Sequence, residues 1–331
     1  MKGVSLILLS LGVLAVLGVV SMGVGRYPVS PAALLTWLGG GRGVDDNVPL
    51  VMLAIRLPRM VAAIAAGGAL AISGAAYQGL FRNPMVSPDI LGVSSGSGFG
   101  AALAILLTLP VAAVQLMSFA GGITAVLIAV SVGRAIGRDR DSVLVLVLSG
   151  IVVSSLFGAL LSMLKYVADP LDKLPAITFW LMGSLANVGS TDLEKVLPTV
   201  IAGAIPLMLV SWRLNVMSFG EDEARALGLN TGLIRSVVVV SATLVTASVI
   251  SVCGIIGWVG LVVPHIARFV SGPNHRLLLP VSFLFGAAFL LAVDTLARTA
   301  APVEIPIGII TAIAGAPFFI WIMKKSSVRS W

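Results

Sequence analysis

Nine stretches of this chain run for 17 residues or more without Asp, Glu, Lys or Arg: 3–25, 60–81, 90–133, 142–164, 174–191, 196–212, 236–264, 277–293 and 305–323. A helix rises ~1.5 Å per residue, so ~20 apolar residues cross a ~30 Å hydrocarbon layer, where only helices and closed barrels satisfy every backbone group. Composition supports the same reading: 58% of the residues are AVILMFWYC and 11% are charged, against ~25% charged in a soluble domain. A water-exposed enzyme domain and a disordered chain are both excluded. The expected architecture is all-α, one polytopic membrane domain over residues 1–331.

The stretches do not map one to one onto crossings. Residues 90–133 would make a helix of about 66 Å, twice what one crossing needs, and Pro110 lies near its middle; two helices are expected. The 236–264 stretch continues through Val270 with Gly254, Gly257, Gly260 and Pro264 inside it, which predicts a full span ending near Val252 and a shorter, broken one ending near Ser271. Pro175, Gly183 and Gly189 interrupt 174–191. That segment reads as a short helix on one membrane face, with the next crossing at about 193–212. About ten transmembrane helices result, with both termini on one side.

Lys and Arg divide unequally between alternate loops, 13 on the side of the termini and 8 on the other, with net charges of +7 and 0. The positive-inside rule makes the termini cytoplasmic. The overall charge of +7 therefore belongs to membrane orientation, and no nucleic-acid partner is implied. The first apolar stretch, 23 residues long without a clear small-residue cleavage site, reads as a retained span.

Catalytic patterns lack their context. Gly92-Val93-Ser94-Ser95-Gly96 fits G-x-S-x-G and Gly96–Ala101 fits G-x-G-x-x-A, but the first needs a strand-to-helix turn and a His partner. Small residues at this spacing in an apolar helix make a packing face. His265 and His275 read as interfacial histidines, and the lone Cys253 excludes a Cys-built metal site. None of the six lysines follows Gly, so there is no P-loop. No catalytic residue, metal site or cofactor is assigned to this chain.

Four segments are candidates for function. Residues 220–229 read as a short cytoplasmic helix, with Glu221, Asp222 and Glu223 at its positive dipole end and Gly228 as its left-handed stop. Too short to stand alone in water, it needs a surface to lie on, and with Ala224, Arg225 and Leu227 facing outward it would suit a docking element. The competing reading is a connector. The external loop from Arg26 ends in Arg56-Leu57-Pro58-Arg59, where paired arginines fit either an acidic partner or ordinary snorkelling. Asp294 and Arg298 stand at the favourable i, i+4 spacing, Asp294 as a structural partner. Asn83-Pro84-Met85-Val86-Ser87-Pro88 is a double-proline turn, a gate or a corner.

Together these segments resemble the permease subunit of bacterial ABC importers for iron-siderophores, haem and vitamin B12, the FecCD type. The likeness rests on RLPR at 56–59, GGALAISG at 67–74, Asn83-Pro84 through LGVSSG at 91–96, WLMGSL at 180–185, ARALG at 224–228, GWVGLVVPHIAR at 257–268 and EIPIGIITAIAGAPFF at 304–319. It implies the type II importer fold of ten helices, a homodimer with an axial path, and two cytoplasmic ATPase subunits that hold ATP and Mg. It also implies a periplasmic or extracellular binding protein, and the bacterial inner membrane as location. By the resemblance, Glu221, Ala224, Arg225, Leu227 and Gly228 belong to the coupling helix. Arg56, Arg59 and Arg298 meet acidic residues of the binding protein, and Asn83, Met85, Asp141 and Ser142 line the cytoplasmic gate. Arg82 departs from a relative that carries an acid there. Molybdate is an alternative cargo. An ion-coupled secondary transporter, which needs intramembrane ion sites, finds few ionisable candidates besides Asp294 and Glu304.

Overall fold

The computed structural model describes residues 2–25, 27, 29–40, 45, 47–137 and 142–326. Among these the regular structure is helical: α1 (Lys2–Gly23), α2 (Pro31–Leu38), α3 (Asn47–Leu80), α4 (Val93–Leu106), α5 (Val111–Ile136), α6 (Ser142–Val167), α7 (Lys173–Leu181), α8 (Ser190–Leu209), α9 (Ser211–Met217), α10 (Glu221–Ala226), α11 (Thr231–Cys253), α12 (Val259–Ser271), α13 (His275–Ala297) and α14 (Ile307–Ser326). Six helices are long and apolar enough to cross a membrane, α8 and α9 form a seventh across a 50° bend, and α4, α12 and α14 are shorter apolar helices. They fall on the segments read from the sequence, six or seven of them meeting the length and apolarity of a full crossing, which is compatible with the expected ten. Pro110 separates α4 from α5 and α7 is the expected short helix.

Burial ranks the helices. In α11, 72% of the apolar window is buried inside the bundle, against 6% in α1; α11 is central and α1 peripheral. From Ala62 to Leu80 almost every residue of α3 is buried. Such close packing is possible because small residues face each other: a Cβ on Gly67 would stand 2.1 Å from the Gly286 carbonyl oxygen of α13, and one on Gly74 1.8 Å from that of Gly260 in α12. Gly96 meets Gly121 of α5 in the same way, at 2.3 Å. The serine-elbow pattern is therefore the packing face of α4.

The segment from Arg26 to Arg59 differs from expectation, because α3 begins at Asn47 and the RLPR motif lies within a helix rather than at a loop end. Residues Val51–Arg56 wind as a π-helix, and the Leu57 N–H donates to the Met52 carbonyl. Pro58 has no N–H to donate and its ring crowds the carbonyl four residues back. The wider turn accommodates both.

Candidate functional site

The sequence places functional residues at two ends of the bundle. At the end expected to face outward, the structure gathers Arg56, Arg59, Asp294, Arg298 and Glu304. Arg59 donates from Nε to Asp294 Oδ1 and Oδ2 at 2.8 and 3.1 Å, and from Nη1 to Glu304 Oε2 at 3.1 Å. Its Nη2 also pairs with both carboxylates. Arg298 approaches Asp294 at 3.7 Å and donates to the Val24 carbonyl at 2.7 Å, to Ser21 Oγ at 2.8 Å and to the Ser21 carbonyl. Arg56 donates to the carbonyls of Met22 and Tyr27.

All three arginines are buried. Neither simple snorkelling nor a free outward-facing pair describes them: they hold the end of α1 and the loop after it onto α3 and α13. Asp294 does partner Arg298 as expected, but its shorter contacts are to Arg59, 235 residues away. Three guanidiniums face two carboxylates, and among the described residues no carboxylate lies within 4.0 Å of Arg56. The corner thus carries about one uncompensated positive charge. Beside it, Glu304 also lines a chamber of about 670 Å³ with Gln115, Trp180, Asn187 and Asp192. There Gln115 Nε2 donates to Asp192 Oδ1 at 2.8 Å.

At the opposite end, Asn83 caps its own turn by accepting the Met85 N–H at 2.9 Å. Both residues are exposed, and Arg82 before them is in the left-handed region at φ 48°. Asp141 lies outside the described residues, as does the side chain of Ser142, whose backbone begins α6. The turn continues into Asp89, which pattern reading overlooked. Its half-buried carboxylate accepts the Ser94 hydroxyl, and burial raises its pKa while bonds from Ser94 and Ser87 oppose the rise.

The short helix α10 follows Gly220, which stands at φ 127° where a side chain would be strained. Its end is a Schellman motif: Gly228, at φ 82°, donates to the Arg225 carbonyl at 2.9 Å, and Leu229 to that of Ala224 at 3.0 Å. Glu221 accepts from Arg225 at 3.1 Å and pairs with Arg235 of α11. Arg225 also donates to Thr231 Oγ1 at 3.2 Å.

Arg225 and Leu227 are exposed as expected, but Ala224 is not. It is fully buried in a cluster with Leu214, Met217, Ile234 and Val238. A helix this short needs a buried side chain to be held; of its two alanines Ala224 supplies it, while Ala226 is exposed. Phe219, overlooked in the sequence, is 74% exposed before α10, and Leu227 after it is 69% exposed. Large exposed apolar side chains flanking a charged helix are what a contact surface offers.

The two histidines are structural. His275 is buried with Nδ1 2.9 Å from Asn215 Oδ1, and His265 stacks edge-on against Phe269. No group of three or more His, Cys, Asp or Glu among the described residues could hold a metal ion.

A bundle of this kind, glycine-packed from apolar helices with a buried arginine–carboxylate cluster at one end and an exposed helical knob at the other, is that of a polytopic membrane protein. The chain belongs to the FecCD transport family, matched over residues 13–325. It is 40% identical to the molybdate import permease MolB of Haemophilus influenzae, over 92% of this chain and 91% of that one. It is 42% identical to the cobalamin import permease BtuC of Halobacterium salinarum, over 87% and 77%. With the hemin permease HmuU of Yersinia pestis the identity is 36%, over 86% and 87%. A solved metal-chelate type ABC transporter in an inward-facing conformation superposes with a TM-score of 0.89 at 36% identity, covering 97% of this chain and 99% of that one. The protein is a membrane-embedded permease of an ABC importer with the FecCD-type fold.

Proposed function

We propose that this permease works as a homodimer in the bacterial inner membrane, both termini cytoplasmic, carrying cargo along its two-fold axis by alternating access. Two cytoplasmic ATPase subunits bind ATP and Mg and push on α10, and an external binding protein delivers cargo to the opposite end. The observation that carries this reading is the anchored but exposed knob of α10: Ala224 and the Glu221–Arg235 pair fix it to the bundle, while Leu227, Phe219 and Arg225 remain open to a partner. A helix held this way transmits a push as a rigid body. Asn83 and Met85, with Asp141 and Ser142, form the cytoplasmic gate.

Arg56, Arg59 and Arg298 serve docking through the surplus charge of their corner, which attracts an acidic residue of the binding protein. Electrostatic steering of this kind acts mainly on the rate and specificity of encounter.

For cargo we infer an iron chelate such as a siderophore or haem, or cobalamin, in keeping with the cobalamin and hemin permeases among its relatives. Molybdate is the second reading, favoured by 40% identity to a molybdate permease over 92% of the chain. The test is uptake by proteoliposomes holding permease, ATPase and binding protein, with ferric siderophore, hemin, cyanocobalamin and molybdate offered separately. One cargo should accumulate only with ATP inside. Uphill accumulation by the permease without the ATPase would overturn the mechanism.

A further inference from the structure

Between α5, α6 and α11 lies a slot of about 550 Å³ that none of the proposed transport steps uses. Leu127 and Val130 of α5 and Val240 and Leu244 of α11 line it, and Arg134 and Arg235 stand at one end. Leu127 and Val240 are exposed, so the slot opens sideways from the bundle. Its basic end is the α10 end, since Arg235 binds Glu221 of that helix. Arg134 is exposed in the last turn of α5, with no carboxylate within 4.0 Å among the described residues. Arg235 Nε is buried without an acceptor.

An apolar channel at membrane depth that ends in two guanidiniums matches one molecule in shape and charge together. We infer that the slot binds an anionic phospholipid of the inner leaflet, an acyl chain between α5 and α11 and its phosphate at Arg134 and Arg235. Basic pockets between transmembrane helices on the cytoplasmic side recognise such headgroups, and arginine forks fit phosphate oxygens. Charge complementarity favours a lipid over a second copy of the chain, whose apolar helix face would leave Arg134 unpaired in the membrane. Because Arg235 holds Glu221, the bound phosphate shares a cation with the anchor of α10, and the lipid adjusts how firmly that helix is held.

The inference is tested on the permease–ATPase complex, taken from nanodiscs of equal dioleoyl-phosphatidylglycerol and dioleoyl-phosphatidylcholine and examined by native mass spectrometry. Phosphatidylglycerol should be retained at least about fivefold over phosphatidylcholine, near the fold-change of a 1 kcal/mol preference. Arg134→Gln, which removes an exposed charge, and Val130→Trp, which fills the slot, should each abolish that preference. Equal retention of the two lipids, or a preference unchanged in both variants, would overturn the site. Displacement of the lipid by millimolar inorganic phosphate would show that the acyl slot contributes nothing. A Leu127→Cys crosslink between two permease copies would assign the groove to the dimer instead. Lipid retention is read without transport, so failure here leaves the importer mechanism standing.

Discussion

The two ends of this permease use charge in opposite ways. At the end proposed to face outward, two of the three buried arginines, Arg59 and Arg298, contact the carboxylates directly, while Arg56 and the remaining donors go to backbone carbonyls and a serine. At the end proposed to face the cytoplasm, Glu221 pairs with both Arg225 and Arg235, Asp222 approaches Arg225 at 3.4 Å, and the Arg225 side chain is 58% exposed. Burial makes the outer network a structural clamp, because a guanidinium removed from water requires a partner. Exposure makes the Arg225–Asp222 contact weak, so the inner helix is seated by Ala224 and by the Glu221–Arg235 pair, whose side chains are 16% and 19% exposed. Substitutions at the outer end should therefore register first in folding, and those at the inner end first in coupling.

The largest effect is expected at the clamp. Asp294→Ala removes the carboxylate shared by Arg59 and Arg298 and should cost ~3–5 kcal/mol, the range for breaking a buried ion pair from one side. Thermal unfolding in detergent measures this. Survival of the melting temperature would mean that water reaches the corner, and the contrast between the ends would be lost. Leu227→Asp comes next: its side chain is exposed, so stability should stay within ~0.5 kcal/mol while ATP-driven uptake falls at least about tenfold, equivalent to ~1.4 kcal/mol. Normal uptake and ATP turnover would make α10 a mere connector.

Ala224→Leu should do some of both. It overpacks a fully buried site, at a typical cost of ~1–3 kcal/mol, and should tilt the helix proposed to meet the ATPase. A stability loss without loss of coupling would show that helix position tolerates error. Arg56→Gln is gentler, because an amide retains a donor for the Met22 or Tyr27 carbonyl, whereas reversal to Glu would set a carboxylate against both. Binding-protein affinity should drop severalfold at low salt, with the difference shrinking as screening shortens the reach of charge. An affinity indifferent to salt and substitution would confine Arg56 to the clamp.

What the sequence reveals about these ends follows from range. Crossings are legible because a charge-free run is a local signal, and Gly228 as the stop of α10 is equally local. Asp294–Arg298 is readable at i, i+4, but the dominant Arg59–Asp294 pairing spans 235 residues and has no signature in one chain. The sequence puts Ala224 on the outward face because amphipathic phase is poorly defined over six residues, and its true side depends on α9 and α11. The start of α3 is hidden because Arg56 and Arg59 end the charge-free run at residue 60, while the π-helical winding of Val51–Arg56 carries the helix on through Pro58.

Asp89 supplies the intermediate case, a half-buried acid held by hydroxyls rather than arginines. Among the described residues no cation lies within 4.0 Å of it, so burial dominates and its pKa rises above the ordinary 3.8. The folded protein then retains a proton that the unfolded chain has released. Stability consequently falls as pH rises from about 3.8 through the folded value, and is level above it. Asp89→Asn should remove that slope and leave the variant slightly more stable than the parent at neutral pH. Melting of both proteins across pH 4 to 8 measures the difference. The opposite slope in the parent would mean that the bonds from Ser94 and Ser87 outweigh burial, which would make this turn a compensated site like the outer clamp.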